Sequence, residues 1–420
     1  MTSNVQRPSL ALASPSALVA PRPRCRRSVL AAVFGWRWLE SKRELSPKES
    51  SHAGKETATH LTLARARRMK RSARALLIWG LLFYAVLQLI PILYLERSTE
   101  WPWHGVETAI ELRKWPKLRQ LVAEDPDRPL LLMLGSSRTY WAFRAGDLDG
   151  MPDSDGRPLR VYNFGIPATG PIYALLYLRD LLAEGIRPRF LLIEFNPMVL
   201  AATRRPGLNE EGMMAVECIP ARRLLQWLPY FHRPGKQVCH WLAARIAPWS
   251  TFRYHIAFEL KCLTGKLSRP TYEAVDDGGW RIPVWKGWLA SERWSRLLQH
   301  WVGYYPVLSN YQLDNKPIQA LHELLDLCRR EKIRSALVVM PESSFLRSWY
   351  SDNGKKTIHG LLDELSRTYG VAIVDANRWL ADDDFEDSLH ALPHGAEVFT
   401  SRLRAELPRL LAQSNDAKSN

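Results

Sequence analysis

Residues 130–138 read LLLMLGSSR, five apolar residues followed by a glycine, two serines and an arginine. A continuous apolar run of this length is typical of a parallel strand that is buried on both faces. The serines stand where this strand ends and a helix is expected to begin. The stretch therefore predicts a core strand with polar side chains at its carboxyl end.

Further apolar runs of the same kind alternate with helical patterns along the chain. The predicted strands are 130–134, 161–164, 190–195, 335–340 and 371–375, and the predicted helices are 105–124, 170–185, 316–333, 356–369 and 395–412. This alternation predicts an α/β fold, a three-layer, doubly wound, flavodoxin-like parallel sheet of about five strands. Ligands in such sheets bind at the carboxyl ends of strands. Chemistry is thus expected just after Leu134, Phe164, Phe195 and Met340.

The stretch 201–315 interrupts this alternation and separates a first α/β half (128–200) from a second (316–413). It contains eight of the chain's 17 tryptophans. We expect a mostly helical, Trp-rich insertion beside the strand-end face. Its aromatic side chains either form the insertion's own core or act as a lid that stacks on sugar rings or covers an acyl chain.

Ser137, next to the end of the first strand, has two interpretations. The residue could cap the following helix, or it could be a nucleophile exposed near the helix's positive end. The far end of the chain favours the second, because Asp387–Ser388–Leu389–His390 gives the pattern D-x-x-H. One turn can then present a carboxylate that accepts from imidazole Nδ1–H and leaves Nε2 free to take the serine proton.

With these motifs the chain resembles the SGNH/GDSL hydrolase superfamily. The first block of that superfamily matches the strand followed by GSS, with Ser136 replacing the usual aspartate and Ser137 at the nucleophile position. Residues 163–168 (NFGIPA) resemble the second block, N-x-G-x-x-G, with Ala168 at the second glycine. Asn196 is the candidate for the asparagine of the third block, although the usual G-x-N-D context is absent. The fourth block matches D-x-x-H followed by a helix.

The resemblance implies acyl transfer through a serine ester, with no cofactor and no metal ion. The implied catalytic residues are Ser137, His390 and Asp387, and the implied oxyanion donors are Ser137, Ala168 (or Gly170 in its place) and Asn196. Water as the second nucleophile makes an esterase, and a sugar hydroxyl makes an O-acyltransferase. A non-catalytic protein that keeps the fold to bind glycan or assemble a complex is the alternative.

Within the superfamily, the chain resembles membrane-tethered envelope members. The shared features are a single apolar segment before the domain (residues 75–95), the first block GSSR (residues 135–138) and the long insertion. Examples are the D-alanyl transfer protein of teichoic-acid modification and the alginate-type O-acetyltransferases. The resemblance implies an envelope or exported glycan as substrate and a multi-spanning membrane acyltransferase as partner. Glu342 and Arg347 follow the fourth strand and are expected to contact substrate, to form a structural salt bridge or to lie in a solvated loop.

The net charge of +15 is concentrated at one end of the chain. Residues 1–76 contain 16 Lys or Arg and 4 Glu, whereas the rest contains 42 basic and 39 acidic residues. A nucleic-acid-binding domain would concentrate positive charge on a folded face. The distribution argues against a nucleic-acid partner and indicates a basic, disordered tail over residues 1–74, with a second short tail at 414–420.

Residues 75–95 (ALLIWGLLFYAVLQLIPILYL) carry no charge. Twenty-one helical residues reach about 31 Å, enough to cross a bilayer's hydrocarbon core. An uncleaved membrane anchor is predicted, with a core helix or a signal-peptide segment as alternatives. The basic residues before the run place the N-terminus in the cytoplasm and the main domain, after a linker and helix at 96–127, on the outer face of a bacterial inner membrane. Met69 is a second candidate start residue.

The five cysteines have no metal-like spacing. A single disulfide among Cys218, Cys239 and Cys262 is one option for an exported domain, and Cys328 is expected to be a buried free thiol.

Overall fold

A computed structural model describes residues 69–70, 72–89, 93, 106–203, 208–219, 221–266, 274–281 and 290–412. The chain divides into two units, Met1–Ala75 and Leu76–Asn420. The predicted tails at 1–74 and 414–420 lie outside the described residues, apart from the last few positions of the first. The account below concerns the second unit and the helix that leads into it.

Five parallel strands form one sheet, which confirms the predicted α/β class. They are β1 (Leu130–Gly135), β2 (Arg160–Gly165), β3 (Phe190–Phe195), β4 (Arg334–Val339) and β5 (Ala372–Asp375). Their order across the sheet is β2-β1-β3-β4-β5, and every pairing is parallel. From β1 the chain adds β2 on one side and then β3, β4 and β5 on the other, so the direction of strand addition reverses between β1 and β3. In open α/β sheets ligands bind in the crevice at such a reversal.

Helices connect the strands and build the insertion. In chain order they are α1 (Ser72–Leu89), α2 (Val106–Glu124), α3 (Ser137–Ala142), α4 (Pro171–Ala183), α5 (Pro197–Leu200), α6 (Glu210–Met213), α7 (Ala221–Trp227), α8 (Pro234–Ile246), α9 (Pro248–Thr251), α10 (Arg253–Leu263), α11 (Ala290–Leu308), α12 (Asn315–Arg330), α13 (Ser344–Ser348), α14 (Asp352–Tyr369) and α15 (Pro393–Ala412). Short 3-10 turns lie at Ala145–Leu148, Val216–Cys218, Leu228–Tyr230 and Asp382–Asp384.

Helices cover both faces of the sheet. Leu132 and Leu134 of β1 belong to one apolar cluster with side chains of α4, α12 and α14. Leu131 and Met133, which point to the other face, belong to a second cluster with side chains of α15. Each such leucine is fully buried, which stabilises the fold by roughly 1.5–3 kcal/mol per side chain. The near-continuous apolar strands follow from this two-sided burial.

The second-half helices begin and end at residues suited to those positions. Asp314 caps α12 by accepting a hydrogen bond from the Lys316 backbone N–H at 2.9 Å. Gly370 ends α14 in the left-handed region, with φ of 64°, where glycine has no Cβ to clash. These signals place the helices within a few residues of the predicted bounds.

The insertion leaves and rejoins the α/β domain at one place. The Ala202 N–H donates to the Gln312 carbonyl at 2.7 Å, and the Asp314 N–H donates to the Leu200 carbonyl at 2.8 Å. The two ends therefore lie side by side between α5 and α12. The described part of the insertion is helical, except for short turns and a bridge between Val275 and Arg281.

Three cysteines are free thiols. Cys239 and Cys262 of the insertion are unpaired, so neither takes part in a disulfide; the side chain of Cys218 lies outside the described residues. Cys328 is buried in α12, as expected, and this burial raises the pKa of its thiol to about 12.

The described part of helix α1 has 18 residues, a mean hydropathy of 1.6 and no residue buried inside the protein. At 1.5 Å per residue these residues span about 27 Å, close to the thickness of a bilayer's hydrocarbon core. It is long and apolar enough to cross a membrane, a property that signal sequences share.

Candidate functional site

Three predicted side chains meet at the carboxyl edge of the sheet. Ser137 is the first residue of α3, directly after β1. Its Oγ lies 2.9 Å from His390 Nε2, and His390 Nδ1 lies 2.7 Å from Asp387 Oδ2. The serine hydroxyl can therefore donate to Nε2 while Nδ1–H donates to the aspartate. This arrangement joins residues 253 positions apart in the sequence.

The turn around Asp387 holds its carboxylate in place. Asp387 Oδ1 accepts the backbone N–H groups of Leu389 at 2.9 Å and His390 at 2.8 Å. Burial alone would raise the pKa of this carboxyl, but the neighbouring His390 imidazole and its hydrogen bond, with help from His300 and the Leu389 N–H, hold the pKa well below its usual range. Asp387 is thus ionised at neutral pH and can stabilise an imidazolium at His390.

The two adjacent serines have different environments. Ser136 is the N-cap of α3, since its Oγ accepts from the Arg138 N–H at 3.2 Å. The same hydroxyl donates to Glu194 Oε1 at 2.6 Å, and the Ser136 N–H donates to Glu194 Oε2 at 2.7 Å. The capping role that sequence reasoning weighed for Ser137 therefore belongs to Ser136. Ser137 keeps its hydroxyl for His390.

Glu194 ties the end of β1 to the start of α3. Besides Ser136, its carboxylate accepts from Thr139 Oγ1 at 2.6 Å. A Cβ at Gly135 would lie 2.1 Å from that Thr139 oxygen and 2.4 Å from Glu194 Oε2. Only glycine fits between them, which explains the glycine that precedes the serine pair.

The loop after β2 carries the second predicted block. Ala168 has φ of 60°, in the left-handed region that favours glycine. For an alanine this conformation costs about 1–2 kcal/mol. Ala168 thus adopts the backbone geometry that a glycine in this block would adopt. Neither its N–H nor that of Ser137 donates to another described residue.

Asn163, the first residue of that block, has a structural role. Its Nδ2 donates to the carbonyls of Thr139 at 2.9 Å and Phe143 at 2.6 Å, and its Oδ1 accepts the Gly165 N–H at 2.8 Å. Asn163 therefore fixes the strand end of β2 against α3, and the helix in turn positions Ser137.

Asn196 follows β3 and caps α5. Its Oδ1 accepts from the Met198 N–H at 3.1 Å and from Arg138 Nη1 at 3.4 Å. Its Nδ2 donates to none of the described residues, so it is available for another acceptor. Gly170, the alternative to Ala168, donates its N–H to Glu210 Oε1 at 2.8 Å. Of the two candidates, Ala168 has the uncommitted N–H.

The two predicted substrate-contacting residues lie in a network of protein contacts. Glu342 is buried and accepts from Arg138 Nη1 at 3.3 Å, Tyr350 OH at 3.1 Å and Asn377 Nδ2 at 3.0 Å. Arg347 donates to the backbone carbonyls of Glu342 and Asn377. The ion pair of Glu342 is therefore with Arg138, while Arg347 is bound to backbone carbonyls. The contact of Glu342 and Arg347 with substrate stays a prediction.

The insertion contributes site residues that sequence reasoning missed. His300 on α11 has its Nδ1 2.7 Å from Ser388 Oγ, inside the D-x-x-H turn. Burial, with the nearby His390 and Arg296, lowers the pKa of His300 even though Asp387 acts the other way. Arg296 on the same helix binds Glu386 Oε1 at 3.0 Å. No local motif marks these residues; their regular spacing along α11 is the only signal.

A tryptophan packs against the other side of the candidate base. The Trp141 and His390 rings have centroids 4.9 Å apart and are tilted by 35°. The Arg281 guanidinium lies 3.2 Å from the Trp141 ring centroid, and Trp280 Nε1 donates to the Trp141 carbonyl at 2.9 Å. Trp141 lies four residues after Ser137, one helical turn further along α3, and that spacing is the signal that could have identified it.

Within the described ranges, no three His, Cys, Asp or Glu side chains are grouped so that they could hold a metal ion. The arrangement as a whole provides a hydroxyl, a base, an ionised carboxylate and uncommitted N–H donors. Such a set is suited to acyl transfer.

Comparison with protein families gives a match to part of the chain. A family model described as "Protein of unknown function (DUF1574)" matches residues 72–211. That range contains α1, Ser137, Ala168 and Asn196, and it ends before most of the insertion and before Asp387 and His390. No curated protein matches the chain. The chain is therefore similar over this range to a family whose description states no function.

Proposed function

We propose that this chain is a membrane-anchored serine acyl-transfer enzyme of the SGNH type, an O-acyltransferase or acylesterase. The single observation that carries the proposal is the contact of 2.9 Å between His390 Nε2 and Ser137 Oγ, with Asp387 2.7 Å behind the imidazole. The strand order of the sheet, which is that of flavodoxin-like doubly wound folds, supports the superfamily assignment.

The first half-reaction forms an acyl-enzyme. His390 takes the proton of Ser137 as the hydroxyl oxygen attacks an ester or thioester carbonyl. Asp387, kept ionised, stabilises the resulting imidazolium and holds the tautomer with its lone pair on Nε2. The imidazolium then gives the proton to the leaving alcohol or thiol as the carbonyl re-forms.

The oxyanion of the tetrahedral intermediate needs donors at the carboxyl edge of the sheet. The Ser137 and Ala168 N–H groups and Asn196 Nδ2 follow β1, β2 and β3, which are neighbours in the order β2-β1-β3. Each such donor contributes about 2.7–4 kcal/mol to transition-state stabilisation. The left-handed conformation of Ala168, costly for an alanine, is consistent with a donor held in a fixed direction.

The second half-reaction decides between esterase and transferase. Water or a sugar hydroxyl attacks the serine ester, with His390 again as the base. The Trp141 ring packs near His390, α11 contacts the neighbouring Ser388, and the His390 side chain is 19% exposed. We propose transfer to a hydroxyl, with an envelope or exported glycan as the acceptor. The proposed partner of this chain is a multi-spanning membrane acyltransferase that supplies the acyl group.

The anchor and its orientation belong to the same proposal. The helix α1 is apolar enough to cross a membrane, and Arg65, Arg67, Arg68, Lys70, Arg71 and Arg74 precede or open it. By the positive-inside rule the N-terminus is cytoplasmic. The α/β domain then faces the extracytoplasmic side of a bacterial inner membrane, where envelope glycans are modified.

Labelling with a fluorophosphonate probe tests the proposal directly. The full chain in detergent or nanodiscs is expected to label at Ser137, and Ser137→Ala is expected to abolish labelling. Ser348→Ala is a matched control, because Ser348 is an exposed serine bonded only to the Phe345 carbonyl. Ser136→Ala should keep the label at Ser137 while lowering thermal stability, since it removes the bond to Glu194.

Folded protein that takes up no label would contradict the enzyme proposal. It would favour the alternative, a non-catalytic SGNH-like protein that binds glycan or assembles an envelope complex. Label that maps by peptide mass spectrometry to a serine other than Ser137 would refute the residue assignment.

A further inference from the structure

The Leu87 carbonyl of α1 has no N–H donor four residues further along the chain. In an α-helix the carbonyl of residue 87 accepts from the N–H of residue 91. Residue 91 is a proline, which has no N–H. The Leu87 carbonyl therefore lacks its helical donor whatever conformation follows. In a membrane, where water is scarce, an unsatisfied carbonyl costs several kcal/mol.

A tryptophan of the insertion supplies the missing donor. Trp249 Nε1 donates to the Leu87 carbonyl at 3.1 Å. Trp249 lies in α9, and Leu87 lies in the described part of α1, Ser72–Leu89. The bond fixes α9 beside α1. Tryptophan is enriched at membrane–water interfaces, because its ring is apolar and its N–H is polar.

The helices around Trp249 expose an unusual amount of apolar surface. On α8, Leu242 and Ile246 are one helical turn apart and are 45% and 67% exposed, and Trp249 on α9 is 45% exposed. On α10, Leu260 and Leu263 are 56% and 74% exposed. Exposed apolar side chains grouped in one segment indicate an interaction surface rather than an ordinary solvated face.

The charge of the same segment favours a lipid surface. Residues 234–266, which we call the interfacial segment, contain five Lys or Arg and one Glu. Arg253, Lys261 and Lys266 are exposed. Apolar side chains beside an excess of basic residues are characteristic of helices that lie in the headgroup region of anionic bilayers.

We propose that the interfacial segment lies on the bilayer beside α1, with its exposed leucines and Ile246 buried at the headgroup–acyl boundary. Trp249 both enters that boundary and satisfies the carbonyl that Pro91 leaves without a donor. The protein then has a second membrane contact, which fixes the height and tilt of the α/β domain above the membrane. The inference rests on α1 crossing the bilayer and is independent of any activity at Ser137.

A depth measurement tests the membrane contact. The full chain is placed in phosphatidylcholine–phosphatidylglycerol nanodiscs after Cys25, Cys218, Cys239 and Cys262 are changed to serine. A nitrobenzoxadiazole fluorophore is attached through Leu263→Cys or, as the matched control, through Asp352→Cys at an exposed position of the α/β domain. At position 263 the emission of the fluorophore should be blue-shifted, and brominated lipids should quench it. At position 352 brominated lipids should leave the emission unchanged.

The alternatives give different results. Emission at position 263 that resembles emission in water, without quenching, would refute the contact. A blue shift that brominated lipids do not quench would also refute it, and would show that a second copy of the chain or another protein covers the segment.

A double-mutant cycle tests the role of the tryptophan. Trp249→Phe removes the indole N–H and should reduce quenching at position 263 by about half or more. In the Pro91→Ala background, which restores an N–H four residues after Leu87, the same change should have little effect. Trp301→Phe, which alters an exposed tryptophan of α11, serves as the control. An equal effect of Trp249→Phe in both backgrounds would overturn the capping role.

Discussion

The α/β domain and the insertion differ in how their residues reach the candidate site. In the α/β domain, Ser137, Ala168 and Asn196 each follow the end of a strand, so the parallel sheet brings them to one edge. In the insertion, His300 and Trp280 reach the site through contacts across 88 and 139 residues of sequence. The comparison teaches that the sheet determines where the chemistry lies, while the insertion determines what surrounds the base and limits access to it.

The largest expected effect tests the α/β side of this comparison. His390→Ala should slow labelling or turnover at Ser137 by about 10⁴-fold or more, because no other group takes the serine proton. His394→Ala is the matched control: His394 is exposed and pairs with Asp384, 3.1 Å away. Rates measured with the fluorophosphonate probe should be unchanged in the control. Near-normal rates in His390→Ala would remove the catalytic interpretation.

The next effect tests the turn that presents the nucleophile. Gly135→Ala should lower the free energy of unfolding by roughly 3 kcal/mol, since the new methyl group would overlap Thr139 and Glu194. Gly146→Ala is the comparison variant, because a Cβ at Gly146 meets nothing within 4 Å. Thermal unfolding of both variants against wild type measures the difference. Equal stability of the two would show that the end of β1 is less tightly packed than described.

A smaller effect concerns Glu210, which joins the insertion to the α/β domain. Its carboxylate accepts the N–H groups of Gly170, Ile172 and Tyr173, and burial nevertheless raises its pKa from 4.5 to about 7. Because the folded-state pKa is above the unfolded one, this group's contribution to stability is present below the unfolded pKa and is lost as the pH rises through about 7.

The corresponding variant is Glu210→Gln, which does not titrate. Between about pH 5 and about pH 8, wild type should lose roughly 1–3 kcal/mol of stability relative to this variant. Thermal unfolding in a series of buffers measures the difference. A constant difference between the two proteins across this range would show that the carboxyl does not titrate there.

The smallest effect tests the insertion side. His300→Phe should slow labelling at Ser137 by about threefold to tenfold, because losing one hydrogen bond of about 1 kcal/mol frees Ser388 in the D-x-x-H turn. His240→Phe, at an exposed position of α8, is the control. If His300→Phe slowed labelling as much as His390→Ala does, the insertion would contribute a catalytic residue, and the distinction drawn between the two regions would be wrong.

Sequence reasoning predicted the parallel sheet, its strands and its helices because the signals are local. Apolar runs such as LLLML, caps such as Asp314 and a C-terminal glycine such as Gly370 each act within a few residues. The D-x-x-H spacing is local in the same way, since Asp387 and His390 belong to one hydrogen-bonded turn. No local signal pairs Ser137 with that turn, because the two lie 253 positions apart; the pairing rested on the chemistry of the residue types and on the resemblance to a known superfamily.

The sequence by itself determined the alternation of strands and helices, the apolar segment α1 and the residue types available at each strand end. Only the tertiary structure decided that Ser136 caps the helix while Ser137 meets His390, that Glu342 is buried with Arg138, and that His300 and Trp141 flank the base. The physical reason is distance along the chain. Periodicity depends on neighbours a few residues away, whereas the contacts of Ser136 with Glu194, Ser137 with His390 and His300 with Ser388 form only when segments 58, 253 and 88 residues apart pack together.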